Sequence, residues 1–297
     1  MLAKFGEKTG EGLAAEMLIR LLTPAGIFWA GGLAAWASRL GFDGLRRAGR
    51  RFADLPAVLQ ITVVLAVIVA VLVSAVVAQK LSLPLLRLLE GYWPGRTAER
   101  SVRRLHARRA RDQRQAVLLE QSRRRGDLTA GEARDLARLQ ARLRDTPGSL
   151  DQTMPTRLGN RLRAAELRPK AKHGLDVVAC WPHLWLVMDD STRAELIHCR
   201  TELDSAVRAY WWSLALVVWT PFAWWEMPLG LLLAVLVYHG WLLGAARDHG
   251  DLTEAAFDLY STRLYTALGW TPPARPDPAK GEELARYLWQ GLAPGDV

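Results

Sequence analysis

The side chains that could do chemistry are few and scattered. Inside the apolar tracts the one ordinarily ionisable group is His239. An imidazole held in lipid would suit a proton relay or a pore. His239 stands seven residues before Ala246, so about 10 Å of helix separates it from the end of its tract, and an interfacial position is equally open. Cys180, His183, His198 and Cys199 supply the ligand types of a zinc site. Their spacing matches no metal motif, and adjacent His198 and Cys199 would diverge by about 100° on a helix. No phosphate-binding loop, Gly-x-Ser-x-Gly elbow or His-Glu-x-x-His pair occurs. The sequence therefore predicts no catalytic residue, no metal and no cofactor. An enzyme, embedded in a membrane, is the third of three readings.

What positions these groups is a strongly segregated chain of 297 residues. Half the residues are apolar, but net charge is +3 over residues 1–79, +10 over 80–208 and −4 over 209–297. Two cysteines exclude a disulfide scaffold, and the apolar content excludes disorder. Four stretches lack Asp, Glu, Lys and Arg: Leu21–Ser38, Leu55–Gln79, Ala209–Trp225 and Met227–Ala246. Crossing a hydrocarbon core takes about 20 helical residues. The second and fourth meet that length; the first and third span only with tilt or local thinning. Ala35-Trp36-Ala37 imitates a signal-peptidase site, but the leader before it is too long and too acidic. Pro221 and Pro228, with the aromatics between them, mark a tight tip joining stretches three and four.

Small residues recur every four positions at Gly26, Ala30, Ala34 and Ser38, and again at Ala66, Ala70, Ser74 and Ala78. In lipid such faces let helices approach closely, so they are candidates for helix packing or for a subunit interface. An alanine-rich composition would also generate them. Gly240 and Gly244 form a further small pair.

Basic residues collect on cytoplasmic flanks. Arg193, Arg200, Arg208 and Arg247 bracket the hairpin, and its tip has none. This predicts that residues 80–208 and the C-terminal tail are cytoplasmic. The linker 39–54, with Arg39, Arg46, Arg47, Arg50 and Arg51, then lies outside as a surface helix, against its own charge.

Thr97–Asp145 carries 14 Arg and 7 acids, with no Lys and no aromatic residue. Leu136, Leu139 and Leu143 recur at helical spacing, Gly126-Asp127-Leu128-Thr129 interrupts, and Thr129 with Glu132 fits a capping box. A helical hairpin with a wide Arg face is expected. Arg103, Arg104, Arg108, Arg109 and Arg111 are its candidate contacts to anionic lipid. A solvated coiled-coil face explains them as well, and nucleic acid is disfavoured because no stacking platform exists.

After Thr156, a plausible cap, the pieces Pro155-Thr156-Arg157-Leu158-Gly159-Asn160, Ala164-Ala165-Glu166, Gly174-Leu175-Asp176 and Trp181-Pro182 follow in order. In that order they resemble an uncharacterised family of bacterial multi-pass membrane proteins. The likeness runs from Pro155 through the hairpin, about a third of the chain. It implies a membrane location and no activity. Arg157, Asn160, Glu166 and Asp176 are its candidate functional residues. The run Val177–Met188 is too short to span and reads as core or as an interfacial helix anchored by Trp181 and Trp185.

In the tail, Asp251 with Glu254 suggests a fresh helix start; Thr271–Pro278 reads as a stiff linker; and Leu284, Tyr287, Leu288 and Leu292 form an amphipathic end. The expected organisation is all-α and polytopic: an N-terminal segment 1–20, a transmembrane pair 21–90, a cytoplasmic helical domain 91–208, a transmembrane hairpin 209–246 and a cytoplasmic tail 247–297. The expected role is a non-enzymatic, self-associating scaffold or interaction protein in the bacterial inner membrane, with an oligomeric channel or small-solute transporter as the alternative. The partners implied are the bilayer, its anionic lipids and further copies of the chain.

Overall fold

The computed structural model describes residues 2–291, with side chains described from Pro24 onward. Residues 2–20 of the N-terminal segment 1–20 are thus described only as backbone, and Met1 and Leu292 lie outside the described residues. Over that range the chain is all-helical. Its elements are α1 (Leu2–Ala53), α2 (Ala57–Lys80), α3 (Ser82–Glu90), α4 (Arg96–Arg125), α5 (Ala130–Arg144), α6 (Arg157–His173), α7 (Val177–Val187), α8 (Asp190–Ala215), α9 (Glu226–Val237), α10 (Leu243–Ala267) and α11 (Pro278–Gln290). A 3-10 turn, Leu216–Trp219, leads from α8 to the hairpin tip, and a π segment, Tyr238–Leu242, joins α9 to α10. The chain divides into two compact units, residues 1–86 with 202–244 and residues 87–201 with 245–297.

The first unit holds the apolar helices α2 and α9. Two helices among the described residues are long and apolar enough to cross a membrane, Ala57–Lys80 and the run Glu226–Ala267. Stretch three does not continue as a long helix, because α8 gives way to the 3-10 turn before Pro221. Gly41, at φ 66° and ψ 175°, breaks α1 into two pieces, a left-handed geometry that favours glycine. The hairpin closes tightly, since a Cβ on Gly230 would lie 2.7 Å from the Ser213 carbonyl oxygen.

The packed face of α1 is one residue away from the expected ladder. Ala25 and Ala35 are wholly buried, whereas Ala30 and Ala34 are exposed and Gly26 has nothing within 4 Å of a built Cβ. The 3-10 turn sets this register: a Cβ on Gly32 would meet the Trp219 indole at 2.4 Å, and one on Gly31 would meet the Leu216 side chain at 2.9 Å. On α2 only Ala75 is buried. Ser74 accepts a hydrogen bond from Trp29 Nε1 at 3.1 Å and Ala70 is half-buried, but Ala66 is exposed. The second ladder thus touches α1 only over its last turns.

The second unit is held by a core of Leu175, Cys180, Leu184, Leu196, Phe257, Tyr260, Leu264 and Leu284, with Trp181 and Trp185 packed against it. The run Val177–Met188 is therefore a core element, with Asp176 capping α7 by accepting from Val178 N (3.0 Å) and Ala179 N (3.2 Å). Helices α4 and α5 form a hairpin around Ala116, Leu136 and Leu139. Gly126 turns it in the left-handed region, and both halves of the Thr129–Glu132 capping box are made.

The helix that contains Asp251 does not start there, because α10 already runs from Leu243. Asp251 and Glu254 instead pair with Arg144 and Arg168, and Asp145 takes both Arg161 and Arg247. These ion pairs join the end of α5 to α6 and α10, although Arg168 Nε is buried without a hydrogen-bond partner. Leu284 of α11 is fully buried, so the tail helix is part of this unit's core.

Candidate functional site

The Pro155–Asn160 segment fixes one edge of a cavity in the second unit. Three of its residues, Pro155, Thr156 and Gly159, converge on the end of α3. Gly91, at φ 101°, turns the chain there, and a Cβ on it would strike Pro155 at 2.3 Å. Thr156 Oγ1 donates to the Glu90 carbonyl at 2.9 Å and accepts from Gly159 N at 2.9 Å, so one hydroxyl caps α6 and holds α3. Gly159 lets the two backbones meet, since a Cβ on it would lie 2.0 Å from the Glu90 oxygen. Asn160, 3% exposed, accepts from Met154 N (2.8 Å) and donates to the carbonyls of Met154 and Thr156 (both 2.9 Å). The residues of this motif therefore seat Glu90.

Beside Glu90 opens a cavity of about 360 Å³. Helix α6 brings Glu166, α7 brings Val178 and Trp181, α8 brings Arg200, and α10 brings His249. Helices α6 and α10 cross closely here, because Gly250 leaves room for Ala165, whose Cβ would lie 2.7 Å from one on Gly250. The electrostatics are bipolar. Burial, reinforced by Coulomb repulsion from Glu166 and opposed by Arg200 and Arg87, pushes the Glu90 carboxyl up to about 7. Burial, with Arg200 adding to it, pushes His249 down to about 4, so its imidazole is neutral at pH 7. His249 Nδ1 is buried with no hydrogen-bond partner. Tyr92, near both carboxyls, has its phenol raised by burial and by Glu90 and Glu166.

The expected site residues fall in different places. Glu166 lines the cavity while pairing with Arg163 at 3.1 Å. Asn160 and Asp176 act through the backbone, as loop tie and helix cap. Arg157 is exposed at the start of α6. His239 belongs to the first unit, where it is exposed and edge-on to Tyr238 at 5.1 Å. On α4, Arg103, Arg104, Arg108 and Arg111 are exposed, but Arg109 donates to the Thr146 carbonyl (3.2 Å) and to Gln113 (3.1 Å). Arg109 closes the helical hairpin rather than standing free on its face. Burial pushes Cys180 up to about 12, an inert thiol, and no group of three or more His, Cys, Asp and Glu among the described residues could hold a metal ion.

Glu90, Arg200 and His249 carry no local sequence signal, since they arrive from three separate elements. The glycine after His249 was the only hint, as a small residue mid-helix permits close approach. Glu226 was missed too. In the first unit it is 0% exposed, and neither carboxyl oxygen has a hydrogen-bond partner. No protein-family model, no curated protein and no solved structure matches the chain.

Proposed function

We propose that the chain is a polytopic bacterial inner-membrane protein of non-enzymatic role, a self-associating anchor that presents its second unit as an interaction platform in the cytoplasm. The observation that carries this reading is the surface of α2. Thirteen Val, Leu and Ile side chains of that helix are exposed, among them Val58 (73%), Ile61 (60%) and Val67 (56%). Each large aliphatic left in water forgoes about 1.5–3 kcal/mol of burial, and soluble monomers rarely show so large an apolar patch. Lipid removes that cost.

The topology proposed from charge gains support from Arg39, which donates to the Pro221 carbonyl at 3.1 Å and lies 5.7 Å from the Phe222 ring centre. The start of the Arg-rich segment therefore adjoins the hairpin tip, as it must if both lie outside. Beyond Gly41, exposed Phe42 (87%), Leu45 (43%) and Phe52 (37%) flank Arg46, Arg47, Arg50 and Arg51, a pattern suited to anionic headgroups. The resemblance to bacterial multi-pass proteins points the same way. Reporter fusions at Gly49 and at the C-terminus are expected on opposite sides of the membrane, in a protein that resists carbonate extraction. Fusions on one side, or release by carbonate, overturn the reading.

Glu226 supports small-solute transport as a second reading, since an unpartnered carboxyl in an apolar unit is a functional suspect. Flux in proteoliposomes that Glu226→Gln abolishes and His239→Ala leaves intact would select it over the anchor.

A further inference from the structure

We propose that the cavity beside Glu90 binds a small zwitterion of the α-amino-acid class, its ammonium group against the Glu90 and Glu166 carboxyls and its carboxylate against Arg200. This goes beyond the anchoring role and does not rest on it. The size is right: about 360 Å³ stands at the small end of ligand pockets. So is the polarity. Two carboxyls face the cavity from the α3 terminus and α6, and Arg200 and a neutral His249 face it from α8 and α10. A simple cation would meet the guanidinium, and a simple anion would meet the acid pair; a molecule carrying both charges meets a group of opposite sign at each end. His249 Nδ1, buried and unpartnered, offers one further hydrogen bond. Trp181 and Val178 give an apolar wall for a side chain.

The ammonium end needs Glu90 ionised, which fixes a pH dependence. The charged and titratable groups around Glu90 are Arg87 on its own helix, Tyr92 after the turn, Glu166 with its partner Arg163 on α6, Arg200 on α8 and His249 on α10. With Glu90 at about 7, binding is expected about tenfold weaker at pH 6 than at pH 8, with proton release on binding near pH 7.

The test is calorimetric titration of the full-length chain in detergent micelles with glycine, serine, leucine and glutamate, and with butylamine and butyrate as half-ligands. Saturable binding of at least one amino acid is expected, with each half-ligand at least tenfold weaker. Glu90→Gln and Arg200→Gln are each expected to cost tenfold or more. Val178→Trp, which fills the mouth from an exposed position and leaves every charge in place, should abolish binding with unchanged melting. No saturable binding by any of the four overturns the proposal. So does butylamine or butyrate binding as tightly as the best amino acid, or binding that survives Val178→Trp. Failure of the membrane reading would appear in fractionation and leave these titrations untouched.

Discussion

Gly281 of α11 lies against the carbonyl oxygen of His173 at the end of α6, so closely that a Cβ on Gly281 would sit 1.8 Å from it. Gly174 makes the reciprocal approach to the Pro278 carbonyl, also at 1.8 Å. Neither neighbour is a side chain that can swing away. Gly281→Ala should therefore lift α11 and uncover Leu284, costing about 1–3 kcal/mol or more. Thermal melting should fall, and limited proteolysis should open within residues 271–277. Gly131→Ala, whose nearest neighbour is 3.9 Å away on an outer helix, should be neutral or slightly stabilising.

Asn160 satisfies three backbone groups of the Met154–Thr156 loop from a buried position. Asn160→Ala strips the Met154 N–H and carbonyl of this partner, whereas the Thr156 carbonyl keeps its bond from the residue 160 N–H (3.1 Å), at a cost of about 1–3 kcal/mol. The loss should appear as a lower denaturation midpoint, together with a fall of the Glu90 pKa as the end of α3 loosens, measured by pH titration of an isotope-labelled carboxyl.

Glu90 and His249 give opposite pH slopes. A carboxyl raised from 4.5 to about 7 stabilises the fold below pH 4.5, and that contribution is lost as pH rises to about 7. An imidazole lowered from 6.5 to about 4 stabilises above pH 6.5, and that contribution is lost as pH falls toward about 4. Between pH 4.5 and 6.5 the two nearly cancel. Glu90→Gln should make melting temperature rise with pH through that window and increase stability at pH 8. His249→Asn should make it fall with pH there and increase stability at pH 5. Slopes of the same sign in both variants would refute the assignment.

What could be read in the sequence was whatever depends on near neighbours. The Thr129–Glu132 box, the Thr156 cap and the helical hairpin arise from spacings of three or four residues, and one segment contains all their determinants. The cavity does not. Glu90, Arg200 and His249 meet only because α6 seats itself on the end of α3 and α10 crosses α6 at Gly250. The small-residue ladder misled by one position because the register is set by Trp219, a ring almost 190 residues beyond Gly32 in the chain. Asp251 and Glu254 looked like a cap because a helix start and a row of Arg partners ask for the same acids.

That register is testable. Gly32→Ala forces a methyl group into the Trp219 indole and should destabilise the first unit by about 1–3 kcal/mol. Gly26→Ala meets nothing within 4 Å and should leave melting unchanged. If Gly26, Ala30 and Ala34 form the contact between copies, Gly26→Leu should shift the oligomer measured by light scattering while the monomer fold survives.

The hairpin of α4 and α5 is long, yet its seam consists of Ala116, Leu136 and Leu139 with Leu119, Leu128 and Leu143 beside them. Its root, by contrast, is clamped by the acids that gather Arg144, Arg161 and Arg168. Grip and reach are thus separated along one arm. Amide exchange is therefore expected to be faster beside Gly126 than around Arg144, where ion pairs hold the end of α5 to α6 and α10.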